Sequence, residues 1–122
     1  MNTRYMFVEG VSVSEQEKLY IDTKLEKVEK LLRKYDRSDE LKCEVEIEQD
    51  KRGVWRLEIM IQTPHNLYRA EKANHVLTEA MDETEEALKK QIQRDKERLK
   101  DLAYRGAMSI KKKVTIDQQA RF

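Results

Sequence analysis

The chain has 122 residues, room for one domain at roughly 100–200 residues per domain. Charged residues make up 40% of it and the hydrophobic set 39%, enough for one modest core and too little for a second. The net charge of +1 hides an uneven distribution: residues 1–86 carry 14 basic and 20 acidic side chains, residues 87–122 carry 11 and 4. A basic C-terminal third points to an anionic partner for that end. No apolar run approaches the ~20 residues of a membrane span, and the stretch from Met1 to Val13 lacks the pattern of a signal peptide. The single cysteine, Cys43, cannot form an internal disulfide, so a reducing cytoplasm is the expected setting.

In chain order, Arg4 to Glu9 reads as a short strand of aromatic and apolar residues ended by Gly10. Ser14 and Glu17 then have the spacing of a capping box. Ile21, Leu25, Val28, Leu32 and Tyr35 recur at steps of four and three, one face of a helix of about 20 residues. Asp36 to Glu40 ends it with polar turn residues. The period then changes to two. Leu41, Cys43, Val45 and Ile47 alternate with Lys42, Glu44, Glu46 and Glu48, a half-buried strand with an acidic outer face. Lys51-Arg52-Gly53 forms a turn, and Trp55, Leu57, Ile59 and Ile61 mark the inward positions of a partner strand. After Pro64-His65-Asn66, Leu67 to Lys72 reads as a weaker third strand of the meander. Asn74 is placed to cap a long final helix whose stripe is Leu77, Ala80, Met81, Thr84, Leu88 and Ile92, continued by Leu99 and Leu102. After Gly106 the pattern fades, so residues 106–122, with Lys111-Lys112-Lys113, are expected to be a flexible tail following a domain of residues 1–105.

Each strand has one apolar face and each helix one apolar stripe. The economical packing is an α+β two-layer sandwich in the order β-α-β-β-β-α, with two helices on one face of a four-stranded sheet. It resembles the double-stranded-RNA-binding fold with an extra leading strand.

Catalytic chemistry finds no residues to rest on. His65 and His75 have no partner at metal-ligand spacing, Cys43 sits at an inward strand position, and no glycine-rich phosphate loop is present. No cofactor, metal or small-molecule substrate is expected. The basic residues say more. At 100° per residue, Lys90, Arg94, Arg98 and Arg105 form one row beside the apolar stripe of the last helix, and Lys89, Lys96 and Lys100 another on the opposite flank. Lys24, Lys27 and Lys34 lie along one flank of the first helix. Such rows are the footprint of a protein that tracks a phosphate backbone. The plainer alternative is that these cations solubilise the helices and pair with Glu three or four residues away. The sheet lacks the outward aromatics of a single-strand reader, so structured RNA recognised by shape fits better. A rival of another class is a small protein–protein adaptor whose charged helices dock an acidic protein.

Three segments also resemble the ribosome hibernation-promoting factor family in its short form. They are Leu67-Tyr68-Arg69-Ala70-Glu71, Leu77 to Asp82, and the run Leu88-Lys89-Lys90-Gln91-Ile92-Gln93-Arg94-Asp95-Lys96-Glu97-Arg98-Leu99-Lys100. Val11-Ser12-Val13-Ser14 leading into Lys24-Leu25-Glu26-Lys27-Val28 is similar to the family's opening strand and helix. The resemblance implies the same order of elements; the residues themselves suggest no catalysis, and the isolated protein is expected to be monomeric. The resemblance further implies binding to the bacterial small ribosomal subunit and its ribosomal RNA, over the mRNA and tRNA sites, so that ribosomes stand idle. By that match Lys90, Arg94, Lys96, Arg98 and Lys100 fall on RNA-facing positions, with Lys24 and Lys27 on those of the first helix. Asp95 stands where the family often has His. Long members add a C-terminal dimerisation domain, for which 122 residues are too few.

Overall fold

The computed structural model describes residues 1–8, 10–35 and 40–116, without the side chains of 99–103 and 105–116. Its elements are β1 (Asn2–Phe7), α1 (Glu15–Arg33), β2 (Lys42–Gln49), β3 (Trp55–Gln62), β4 (Leu67–Asn74) and α2 (Leu77–Ile116). The strands form one sheet in the order β1-β2-β3-β4, with β1 parallel to β2 and the other neighbours antiparallel. Parallel neighbours need a crossover connection, and α1 provides it. This is the α+β sandwich expected from the alternating patterns. The chain divides into two units, Met1–Ile92 and Gln93–Phe122.

Local chemistry explains the first helix. Ser14 Oγ accepts from the Glu17 amide and Glu17 Oε1 accepts from the Ser14 amide, both at 3.1 Å, which satisfies two backbone donors that a helix start leaves orphaned. In the hairpin, Asp50 Oδ1 accepts from the Arg52 and Val54 amides at 2.8 and 3.0 Å. Gly53 there takes φ of +85°, a conformation that a β-carbon would strain.

The register pairs Cys43 with Ile61, Val45 with Ile59 and Ile47 with Leu57. These six therefore share one face of the sheet. Against it lie Ile21, Leu25, Val28 and Leu32 of α1, and Leu77, Ala80, Met81, Leu88 and Ile92 of α2, in one buried cluster. Each such large side chain contributes about 1.5–3 kcal/mol by leaving water. Trp55 and Cys43 belong to this core. Burial pushes the Cys43 thiol up to about 12, against roughly 8.5 for a free cysteine.

At the free edge of β4, the Gln91 side-chain amide of α2 meets the backbone of Arg69. Its Oε1 accepts from the Arg69 amide at 3.2 Å and its Nε2 donates to the Arg69 carbonyl at 2.7 Å.

Several boundaries differ from the sequence reading. The first strand runs over Asn2–Phe7 instead of starting at Arg4, because the Asn2 amide reaches the Leu41 carbonyl at 2.9 Å. Glu9, its expected end, lies outside the described residues, as do residues 36–39 of the expected turn. Tyr35 falls beyond the last turn of α1 and is exposed. The third strand of the meander extends to Asn74, since Arg56 and Trp55 of β3 supply partners for Ala73 and Asn74. The last helix consequently begins at Leu77, and Asn74 serves the turn before it, its Oδ1 accepting from the Val76 amide at 2.9 Å. That helix continues through Gly106 to Ile116; residues 117–122 lie outside the described residues, as do the side chains of Leu99 and Leu102.

Leu25→Ala and Leu88→Ala are each expected to cost about 2–5 kcal/mol in urea unfolding, since both side chains are buried. A thiol reagent should label Cys43 only as the protein unfolds; fast labelling of the folded protein would contradict its burial.

Candidate nucleic-acid interface

α1 and α2 meet along a line of polar contacts beside the core. Lys24 of α1 places Nζ 3.4 Å from Asp82 Oδ1 and 3.4 Å from Glu85 Oε1, both on α2. Tyr20, one turn before Lys24, donates its hydroxyl to Asp82, and the Lys24 ammonium lies 5.5 Å from the centre of the Tyr20 ring. Lys89 Nζ sits 3.6 Å from the other carboxylate oxygen of Glu85. Desolvation works against the Lys24 charge, yet Glu85, with Asp82, outweighs it and holds the ammonium above the usual lysine range.

The remaining expected contacts differ in setting. Lys27 is exposed and has no ion-pair partner among the described residues. Lys90 Nζ lies 3.4 Å from Glu86, a pair in which both side chains are more than 60% exposed. Exposed pairs of this kind contribute about 0–1 kcal/mol, so Lys90 is readily drawn away. Arg94, Lys96 and Arg98 belong to the second unit. There Arg94 is exposed and Arg98 Nη2 lies 3.9 Å from Asp95. The side chain of Lys100 lies outside the described residues, as do those of Arg105 and Lys111 to Lys113.

Charge therefore separates along the chain. Met1–Ile92 holds 16 basic and 20 acidic side chains, a net of −4, and Gln93–Phe122 holds 9 and 4, a net of +5. The sequence places the positive excess from residue 87 onward but puts candidate contacts on both helices. In α1, however, five acidic side chains balance five basic ones, and residues 77–92 carry five acidic against two basic. Among the described residues, no group of three His, Cys, Asp or Glu side chains is placed to hold a metal ion, and no helix is long and apolar enough to cross a membrane.

Residues 7–100 match the model of the Sigma 54 modulation protein / S30EA ribosomal protein family. The chain belongs to that family. It is a ribosome-associated family, and the matched range takes in the basic run of residues 89–100. Solved structures agree with the fold. The N-terminal domain of protein Y from Thermus thermophilus is 26% identical, with a TM-score of 0.62 over 77% of this chain and 98% of that one. A ribosomal subunit interface protein from Coxiella burnetii, 14% identical, reaches a TM-score of 0.63 over 79% and 98% of the two chains. Among curated proteins no relative matches the chain.

In this member of the S30EA family the open face of the sheet is not a plain acidic surface. The register sets Glu46, Glu58 and Glu71 side by side across β2, β3 and β4, a row of like charges that would repel. Two arginines on the same face offset it. Arg56 reaches Glu48 at 2.7 Å, Glu46 at 3.0 Å and Glu71 at 3.7 Å. Arg69 reaches Glu58 at 2.6 Å and Glu71 at 3.3 Å. The sequence reading takes this face as acidic from its glutamates and assigns these arginines no part in offsetting them. The alternation of β3 held the signal, since it puts Arg56 on the outward side opposite Glu48.

The Arg69 guanidinium beside Glu58 holds that carboxyl below the usual carboxylate range. Glu29 is likewise lowered: burial opposes its charge, but the N-terminal ammonium and Arg33 prevail. A carboxyl with a depressed native pKa stabilises fully above its unfolded value, about 4.3, and this contribution is lost as pH falls through the native value. Urea stability should accordingly decline on acidification below about pH 4.3. Glu58→Gln should blunt that decline; an identical acid profile for wild type and variant would refute the role given to the Arg69 pair.

Proposed function

We propose that this protein is a ribosome hibernation factor. It binds the small ribosomal subunit through its basic helical residues, contacts ribosomal RNA there, and covers the mRNA and tRNA sites so that ribosomes are held inactive. It acts in the cytoplasm without cofactor, metal or catalysis, and as a monomer when free. The observation that carries this reading is the family match over residues 7–100, which includes the run from Lys89 to Lys100. The positive excess of the second unit supports it: Arg94, Lys96 and Arg98 lie where net charge favours a phosphate backbone. The Arg98–Asp95 contact is long at 3.9 Å and the Arg98 side chain is 72% exposed, so the arginine is open to a phosphate.

Two measurements test this. Co-sedimentation with purified small subunits at low salt is expected, and with about five phosphates engaged the log affinity should fall with log salt at a slope near −4. A flat response would favour the adaptor reading, with a protein partner held by apolar contacts. Replacing Arg94, Lys96 and Arg98 together by Glu should abolish co-sedimentation while shifting stability by no more than ~0.5 kcal/mol per site. Undiminished binding of the triple variant would remove the second unit from the contact surface.

A further inference from the structure

Lys24 and Lys89 carry positive charge on helices read as the RNA-facing layer, and both count among the sequence-expected contacts. Their surroundings argue for a different task. We propose that Lys24 and Glu85 lock α1 to α2, with Lys89 compensating Glu85 from one turn further along α2, and that the two lysines serve this cluster instead of contacting phosphate. The proposal rests on the nucleic-acid reading only for what the lysines would otherwise bind.

Four observations carry it. Glu85 is buried in the helix interface, its side chain 10% exposed, and Lys24 is largely covered at 20%. Glu85 Oε2 makes no hydrogen bond among the described residues, so Lys89 Nζ at 3.6 Å is the cation that compensates it. Glu85 Oε1 has Lys24 at 3.4 Å. The fourth is Tyr20, whose hydroxyl is held by Asp82 and whose ring lies beside the Lys24 ammonium. With Asp82, the cluster holds two cations and two anions, so it presents no net charge to an approaching phosphate. Drawing either lysine outward would leave the buried Glu85 carboxylate with one cation in place of two, which is unfavourable where water is largely excluded. Lys27 and Lys90 escape both constraints. Among the described residues Lys27 has no ion-pair partner and Lys90 pairs with the exposed Glu86 alone.

Four single variants, Lys24→Gln, Lys89→Gln, Lys27→Gln and Lys90→Gln, separate the two roles when each is measured for thermal melting and for the salt slope of small-subunit binding. Lys27→Gln and Lys90→Gln should each make the slope shallower by roughly 0.7–0.9 with the melt unchanged. Lys24→Gln and Lys89→Gln should lower the melting temperature and leave the slope as in wild type, and Lys24→Arg should restore the melt. A shallower slope for Lys24→Gln, with or without a stability change, overturns the proposal. Should the protein fail to bind small subunits at all, the functional reading falls, and the lock is then judged on stability alone. In that case a Lys24→Gln/Glu85→Gln double-mutant cycle must be non-additive; additive losses would dismiss it. The Lys24 ammonium, followed by NMR, should titrate lower in Glu85→Gln, and an unmoved titration would likewise count against the pair.

Discussion

The alternation of apolar and charged side chains along β2 and β3 is the constraint on which the rest of the molecule depends. It gives the sheet one face that must leave water and one that tolerates it. Every apolar stripe has to find that single face, so α1 and α2 share it and supply one core cluster. The parallel pairing of β1 with β2 adds a topological demand, because a connection between parallel neighbours must cross the sheet. α1 is that crossing. Its inner stripe, Ile21 to Leu32, is packed into the core, and its flank toward α2 brings Tyr20 and Lys24 against Asp82 and Glu85.

Once the helices are side by side, the electrostatics of the first unit become largely internal. Charges on the open face of the sheet are gathered by Arg56 and Arg69, and those along the helix seam by Glu85. A folded unit with a net charge of −4 would repel a polyanion at long range, while the charges gathered in these clusters act over short distances because neighbours of opposite sign offset them. The unit from Gln93 onward, at +5, has the opposite long-range sign. In this S30EA-family protein the two units therefore differ in the sign of charge that each carries.

How much of this was legible beforehand varied with the range of the interaction. The Ser14–Glu17 cap and the period-two strands are local, and they were read directly from residue spacing. Strand ends were less legible, because the last residue of a strand is decided by what its neighbour offers. Asn2 pairs because the strand beside it begins at Lys42, and Asn74 because Trp55 lies opposite. Pairs at helical spacing, such as Lys90 with Glu86, were foreseeable as a class. Lys24 with Glu85 was not: 61 residues separate them, and only the packing of two helices on one sheet joins them. The candidate site was thus readable as a set of basic residues, while their division into cations paired with the buried Glu85 and cations open to solvent required the fold.

The Gln91 amide against Arg69 has a consequence for the company this protein keeps. A sheet edge is a template for another strand, and β4 is such an edge. By meeting both backbone groups of Arg69, one side chain imitates the strand that would otherwise dock there. At that point the edge is already saturated. The chain is thereby spared, at that residue, one route to pairing with copies of itself.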